Sequence, residues 1–391
     1  MTYWNDMIKK LLCIYCFLLS IYCFGQSTIE EKFELPDDVK ETSGLLFFNE
    51  KVITHNDSGD GPYLYEIDTI HGNISRIITI TNATHIDWED ISQDDTYIYI
   101  ADIGNNDGNR EDLKIYKIFK SDYTSSTNVT AEIISFSYED QTDFSSQPNH
   151  TNFDAEAIAV YQDSLLIFTK NWVDNKTNAY AIPKTLGNHV AEKVSSYDVE
   201  GLITGVSYNP YTDAFLFSGY NSILLPFLIY VDQNRPPSLD VFGGSVTKIN
   251  LVDPLYLEQG SQIEGVAFFE PNKYYISREY FSNSIAGITI TFDQKLYEFY
   301  NELDYLLSTS DNELSKLSIH IPNPVEEELE IFPKNNTQEI LSLSIIDIHG
   351  KKLLSVENQN KLNLGSFSKG LYFLKIRFKT GEFLIKKIIK K

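Results

Sequence analysis

Residues Asp87 to Asn106 read DWEDISQDDTYIYIADIGNN. The stretch holds an acidic opening with a tryptophan, a polar turn, an alternating apolar run and a glycine turn. Taken alone it fits an acidic catalytic centre, a calcium loop, or one unit of a repeated sheet whose acids cap strand ends. Recurrence separates these readings. Four other segments align with it: ETSGLLFFNEKVITHND from Glu41, DAEAIAVYQDSLLIFTK from Asp154, LITGVSYNPYTDAFLFSG from Leu202 and QIEGVAFFEPNKYYISR from Gln262. Each has a small or acidic pair, an apolar strand, a polar turn, a second alternating strand and a polar residue closing it. The equivalent positions Ser43, Glu89, Glu156, Thr204 and Glu264 are spaced 46, 67, 48 and 60 residues apart.

A period of about 40 to 50 residues with four short strands per unit is the pattern of a β-propeller. A third strand follows each pair (YLYEID, LKIYKIF, NAYAIP, FLIYVD, GITITF), and an outer one follows in three units (ISRIITI, AEIISFSY, VTKINL). The N-terminal IEEKFELPDDVKE stands in the outer-strand position and is expected to complete the last blade, leaving no exposed edge. The chain reads as all-β: a β-propeller with five blades visible, or six if a degenerate blade hides in a long interval, followed by a small C-terminal antiparallel β-sandwich. Two β-sandwiches in series compete with this reading, but they do not require fivefold recurrence.

The ends of the chain are different in kind. Lys9 and Lys10 precede an apolar run from Leu11 to Phe24, then Gly25. That run is short of the ~20 residues a membrane-spanning helix needs, so a signal peptide over 1–25 is expected, with Met7 an alternative start. Cys13, Cys16 and Cys23 are the only cysteines and all lie in this segment. The exported chain therefore has no disulfide, thiolate metal site or cysteine nucleophile. The expected order is signal peptide 1–25, propeller 26–308, linker 309–316 and sandwich 317–391.

Alternating strands broken by Pro-Asn-Pro, His-Gly, Lys-Gly and Thr-Gly turns build the C-terminal sandwich. Its Pro322-Asn323-Pro324-Val325, Asp347 to Lys351 (DIHGK), Gly370-Leu371-Tyr372 and Lys386-Lys387-Ile388-Ile389-Lys390 resemble the C-terminal sorting domain of the type IX secretion system of Bacteroidetes. Ile321 stands where that family more often has an aromatic residue. The resemblance implies handling by the type IX secretion machinery, passage across the outer membrane, and release or attachment at the cell surface.

Net charge is −23, while the segment from Leu317 onward carries 12 basic and 8 acidic residues. The acidity is concentrated in the middle of the chain, which makes nucleic acid and anionic membranes poor partners for it. Cations suit it better, although solubility alone accounts for an acidic secreted protein.

In a propeller the innermost strands line the central channel, so Glu89, Glu156 and Glu264 are expected to converge at one mouth. Three carboxylates that close repel unless a cation or proton compensates them, and calcium accepts such hard oxygen donors. Residues closing the second strands form a second expected ring: Asp57, Asp102, Lys170, Ser218 and Arg278. Lys170 and Arg278 could hold a substrate anion, or pair with the glutamates as structural bridges. The loops Asn56 to Gly61 and Asp102 to Asn109 offer further oxygen ligands, Asn105 and Asn106 among them. Both readings, turn and calcium loop, stay open there, because neither has the EF-hand pattern. His85 or Asp87 is the candidate base. No Gly-x-Ser-x-Gly elbow, His-Glu-x-x-His, Walker loop or dinucleotide fingerprint is present.

Trp88, Glu89, Asp90, Asp102, Gly104, Asn105, Asn106 and Arg110 together resemble secreted bacterial propellers related to the phytase-like, strictosidine-synthase-like and lactonase groups. Some members of that wider group are calcium-dependent hydrolases whose metal is bound by a glutamate entering an inner strand, often in a Glu-Gly pair; Glu264-Gly265 is the local match. The resemblance implies a calcium-dependent hydrolase of a phosphoester, lactone or ester. A surface propeller that binds a glycan, peptide or protein without reacting is the alternative from another class.

Overall fold

The computed structural model describes residues 27–233, 238–251, 257, 260–285, 288–301, 319–320, 324–333, 340–347, 352–378 and 383–391. The expected signal peptide and linker lie outside the described residues, as do Pro322, Asn323 and positions 348–351 of the DIHGK motif.

Alternating apolar residues form five four-stranded antiparallel blades among the described residues. Blade one is Thr42–Phe48, Lys51–Asn56, Tyr63–Asp68 and Ile74–Ile80. Blade two is Trp88–Gln93, Tyr97–Asp102, Lys114–Phe119 and Glu132–Tyr138. Blade three is Ala155–Tyr161, Ser164–Thr169, Lys176–Pro183 and Gly187–Asp198. Blade four is Leu202–Asn209, Ala214–Tyr220, Pro226–Asp232 and Ser245–Asn250. Blade five takes Ile263–Glu270, Lys273–Arg278 and Lys295–Tyr300, and its outer strand is the N-terminal Thr28–Glu34.

The N-terminal strand thus closes the ring as its sequence position implied, and each inner strand neighbours the next around the axis. Closure removes an edge that would otherwise template aggregation. One element differs from the sequence reading. GITITF is not the third strand of blade five; Ile288–Phe292 folds back on Phe281–Ile285 as a separate hairpin. Lys295–Tyr300 takes the third place because it can pair on both sides, with Lys273–Arg278 and with Thr28–Glu34.

Each seam between blades is an apolar cluster. Trp88 and Ile91 pack with Leu46 and Ile53 between blades one and two, and Phe168 meets Phe217 edge-on at 4.9 Å between three and four. Burial of such aromatic and β-branched side chains is the main favourable contribution to a propeller. Blades two and three are also joined on the outside, where Glu132–Tyr138 runs parallel to Gly187–Asp198.

The C-terminal sandwich has one sheet ordered Lys352–Glu357, Ile340–Ile346, Gly370–Phe378 and Phe383–Lys390. Glu328–Glu330 pairs with Lys361–Asn363 on the other side of a core that includes Leu329, Leu343, Leu374 and Ile376.

Candidate functional site

All five inner strands break register at the same level. The partner pairs jump from Thr42–Asn56 to Leu45–Thr54, from Trp88–Asp102 to Asp90–Ala101, and from Ala155–Thr169 to Ala157–Phe168. The same jump runs from Ile203–Gly219 to Gly205–Ser218 and from Ile263–Arg278 to Val266–Ile276. The inner-strand residues left without a partner include all those aligned from sequence, Ser43, Glu89, Glu156, Thr204 and Glu264, with Gly44 and Gly265 beside them in blades one and five. A β-bulge re-aims a side chain relative to its sheet, so five bulges at one level turn five side chains toward a common end of the axis.

Three of those five are glutamates. Glu89 is 4% exposed, Glu156 4% and Glu264 6%. They are brought together: Glu89 lies in the field of Glu156, and Glu264 in the fields of Glu156 and Lys170. Lys170 stands among them, 6% exposed, and donates to Glu156 Oε1 at 2.9 Å. Its ammonium also faces the Trp172 and Tyr220 rings at 5.1 and 5.6 Å. Burial, then the Glu156 and Asp87 charges, pushes Glu89 well above the ordinary carboxylate range; burial and Glu279 do the same to Glu264. No described residue donates a hydrogen bond to the Glu89 or Glu264 carboxylate.

Around them stands a second layer of acids. Asp154 is buried, its oxygens taking the Asn105 amide at 2.6 Å and the Trp172 indole at 2.8 Å. Burial and Glu156 push it up to about 7. Asp87 is half-buried and likewise pushed up to about 7, by burial and then by Asp154 and Asp57. Glu279 is pushed up to about 8 by burial, Asp57 and Glu41. Glu41, Asp57 and Glu279 form an acidic group that could hold a metal ion, with one carboxylate oxygen of each within 4.8 Å of the others. Gly104 passes so close above the mouth that a Cβ there would sit 2.1 Å from Glu89 Oε1 and 2.3 Å from Asp87 Oδ2. The donor set is entirely oxygen and strongly anionic, which fits a hard divalent cation.

The second ring expected from sequence is assembled differently, by one residue of register. The partners of the residues just before the bulges are Asn56, Asp102, Thr169, Gly219 and Arg278; the residues after these are Asp57, Ile103, Lys170, Tyr220 and Glu279. Side chains alternate along a strand, so the two sets face opposite ways. Asp57, Lys170, Tyr220 and Glu279 belong to the set in the mouth. Arg278 belongs to the other set: its guanidinium donates to the Asp293 carbonyl at 2.9 and 3.0 Å and to Ser261 at 3.4 Å, and lies over Phe292 and Tyr297. This corrects its assignment to the mouth. Ser218 donates its hydroxyl to the Glu264 carbonyl and so ties blade four to blade five.

Asp102, Asn105 and Asn106 organise the adjoining loop. Asp102 Oδ1 accepts Arg110 at 2.8 Å, and Arg110 also donates to the Gly104 carbonyl at 2.7 Å. Asp102 Oδ2 is buried with no partner among the described residues. Asn105 donates to the Phe153 carbonyl at 3.1 Å and accepts the Arg110 amide at 2.9 Å, while the Asn106 carbonyl accepts the Asn149 amide at 2.9 Å. His85 has Nε2 at 3.0 Å from the Asn56 carbonyl and its ring against Trp88 at 4.9 Å. Sequence reasoning missed Asp154, Glu41 and Glu279. Glu279 was legible as the residue after Arg278 once the register is set.

Under the mouth, Asp90 crosses the axis. Its buried carboxylate accepts the Ile91 amide at 2.8 Å, the Ile158 amide of blade three at 2.9 Å and the Val206 amide of blade four at 3.4 Å. Asp90 thus ties blades two, three and four together one residue below Glu89.

Comparison with known proteins separates the two ends of the chain. Residues 320–391 match the family described as "Secretion system C-terminal sorting domain". A search of curated proteins finds no match. Among solved structures, the chain is similar to the extracellular domain of a protein described as a one-component system of B. thetaiotaomicron, at 11% identity and TM-score 0.31, over 93% of this chain and 60% of that one. The chain thus spans about six tenths of that relative's length. It is also similar to a protein described as a 6-phosphogluconolactonase of Bacteroides uniformis, at 10% identity and TM-score 0.32, covering 90% and 96% of the two chains. A third likeness is the alpha-L-arabinofuranosidase PaAbf62A of Podospora anserina, at 8% identity and TM-score 0.39, covering 71% and 97%. These likenesses are loose, and the propeller stands on its own strand pairing. No described helix is long and apolar enough to cross a membrane. The chain is an all-β propeller that ends in a type IX secretion sorting domain, which directs it to the cell surface or into the medium.

Proposed function

We propose that the propeller mouth binds a divalent cation, calcium by its all-oxygen donors, and uses it to hold and hydrolyse a phosphoester, lactone or ester. The observation behind this reading is the pair of buried carboxylates, Glu89 and Glu264, which have no hydrogen-bond donor among the described residues. An ionised carboxylate so placed is costly unless a cation or a proton compensates it. Glu89 and Glu264 would hold the ion from the inner strands, and Glu41, Asp57 and Glu279 from the rim. When bound, calcium would supply Lewis-acid polarisation of a substrate oxygen.

Asp87 suits the role of proton acceptor toward an attacking water. It is half-buried at the rim, and burial with neighbouring acids brings it to about 7, near the pH at which a general base works best. Trp172 fixes Asp154 beside it through the indole hydrogen bond and offers an aromatic wall. The signal peptide expected over 1–25 belongs to the same reading of an exported protein.

A second reading has an observation in its favour. Lys170 is sealed against Glu156 and Arg278 is engaged in blade five, so neither offers its charge to a substrate anion. The mouth would then grip a glycan, peptide or protein without turnover. Assays of the wild type and Asp87→Asn on a panel of phosphoesters, lactones and esters, with calcium and with chelator, separate the two. Calcium-dependent turnover lost in Asp87→Asn supports the hydrolase, and a silent panel with intact calcium binding supports the binder. Failure to bind calcium at all overturns the shared reading.

A further inference from the structure

The strand Gly370–Phe378 of the sorting domain alternates sharply. Leu374 and Ile376 point into the sandwich core. Lys375 and Arg377 therefore stand on the outer face of the same sheet, where solvent would be the ordinary neighbour of a cation. Yet Lys375 is only 8% exposed. What covers it is the propeller. Its ammonium donates to the carbonyl of Pro210, and Arg377 Nη2 lies 3.9 Å from Asp213 Oδ2.

Pro210 and Asp213 belong to the turn between Leu202–Asn209 and Ala214–Tyr220 in blade four. The mouth residues Thr204 and Tyr220 sit at the other ends of those strands. The turn is therefore on the opposite face of the propeller, about 20 Å away at the usual rise per residue.

The propeller side is built to receive the contact. Asp213 is buried, held at a positive φ of 54°, and its Oδ1 accepts the Tyr208 hydroxyl at 2.6 Å. Asn209 anchors the turn to blade five, donating to the Pro271 carbonyl at 2.8 Å and to the Tyr274 hydroxyl at 2.9 Å. Tyr211, next to Pro210, packs on Phe268 at 5.8 Å. Its phenol is pushed above its ordinary value by burial and then by the charge of Asp347, the residue after Ile340–Ile346 in the sandwich.

We infer that the face of the propeller opposite the mouth is a docking surface for the chain's own sorting domain, latched by Lys375 on the Pro210 carbonyl and Arg377 on Asp213. Burying a lysine against a carbonyl is justified only if the docked arrangement is kept, because its desolvation is otherwise uncompensated. The docked tail contacts the propeller at the ends of the blade-four strands away from Thr204 and Tyr220. Removal of the tail uncovers the Asn209–Asp213 turn and the side chains around it.

Amine acetylation of the full chain, read residue by residue by mass spectrometry, tests this. Docking predicts that Lys375 labels about tenfold or more slowly than Lys369, an exposed lysine just before the same strand, if the docked form outweighs the open form by that factor. Arg377→Glu should raise the Lys375 rate toward that of Lys369. Arg377→Lys, which keeps the cation facing Asp213, should retain protection, which a merely misfolded tail would not do. Circular dichroism of each variant checks that the sheets persist. Equal labelling of Lys375 and Lys369 in the wild type, or protection unmoved by Arg377→Glu, overturns the inference.

Discussion

Cation binding at the mouth should expel protons, and the number is set by the carboxylates gathered there. Without a cation, burial and mutual repulsion leave Asp87 and Asp154 at about 7 and Glu279 at about 8. At pH 7 the first two are then each about half protonated and the third about nine-tenths protonated, so full ionisation releases about two protons. Glu89 and Glu264, pushed higher still and proposed above as ligands, add their own protons, so about two is the lower bound. The logarithm of the calcium association constant should therefore rise with pH at a slope of at least about two near neutrality and flatten once these acids are ionised. Isothermal titration of calcium at pH 7 in buffers of different ionisation enthalpy measures the release directly. Glu279→Gln should reduce the released protons by about one. Calcium binding whose heat is the same in every buffer would refute the reasoning, because the ion would then be held by groups already charged, away from the crowded acids.

The same shifts fix a stability profile for the cation-free protein. These acids have folded values above their unfolded ones, so the folded state holds more protons between about pH 4 and 8 and stability falls as pH rises through that window; melting temperature should drop from pH 5 to 8 and be recovered by calcium at pH 8. Lys170→Met leaves Glu156 buried without its partner and should cost about 3 to 5 kcal/mol in denaturant unfolding, while Glu156→Gln in the same chain should return much of it. Gly104→Ala places a methyl group on the Glu89 and Asp87 oxygens and should weaken calcium binding about tenfold or more by titration, with blades intact by circular dichroism. Deleting Thr28–Glu34 exposes the edge at Lys295–Tyr300 and should give concentration-dependent aggregation in size-exclusion chromatography.

The fold was legible because a propeller repeats its instructions. Five recurrences of one strand pair, with a leading strand that had no partner nearby, implied a closed ring, and Thr28–Glu34 takes that place. Blade five was misread in one strand because ITITF and KLYEFY alternate equally well. Only the two-sided pairing of Lys295–Tyr300 distinguishes them, and pairing at a distance leaves no local mark. The three inner glutamates were legible for the reason the blades were: equivalent positions in equivalent units meet at the axis. The second ring was legible only to within one residue. Along a strand that error reverses direction, which is why Arg278 was placed in the mouth and Glu279 was not.

The bulges explain how a regular propeller accommodates such a site. A continuous ladder would alternate each inner strand between its two neighbouring seams, and a glutamate there would be buried in an apolar cluster. The extra residue at Glu89, Glu156 and Glu264 releases those side chains from the ladder, while the strand beyond resumes pairing and keeps Ile91, Ile158 and Val266 in the seams. The amides at this level need acceptors once the register shifts. Asp90 supplies one for Ile158 and Val206 across the axis, and the Glu89, Ile263 and Glu264 carbonyls take the hydroxyls of Ser43, Thr204 and Ser218. The polar groups that hold the ring together therefore sit directly beneath and beside those that face the mouth. Closing the channel with Asp90 rather than an apolar plug gives the Ile91, Ile158 and Val206 amides an acceptor, while burial still pushes its carboxyl well above the ordinary range against the lowering effect of the three amide donors.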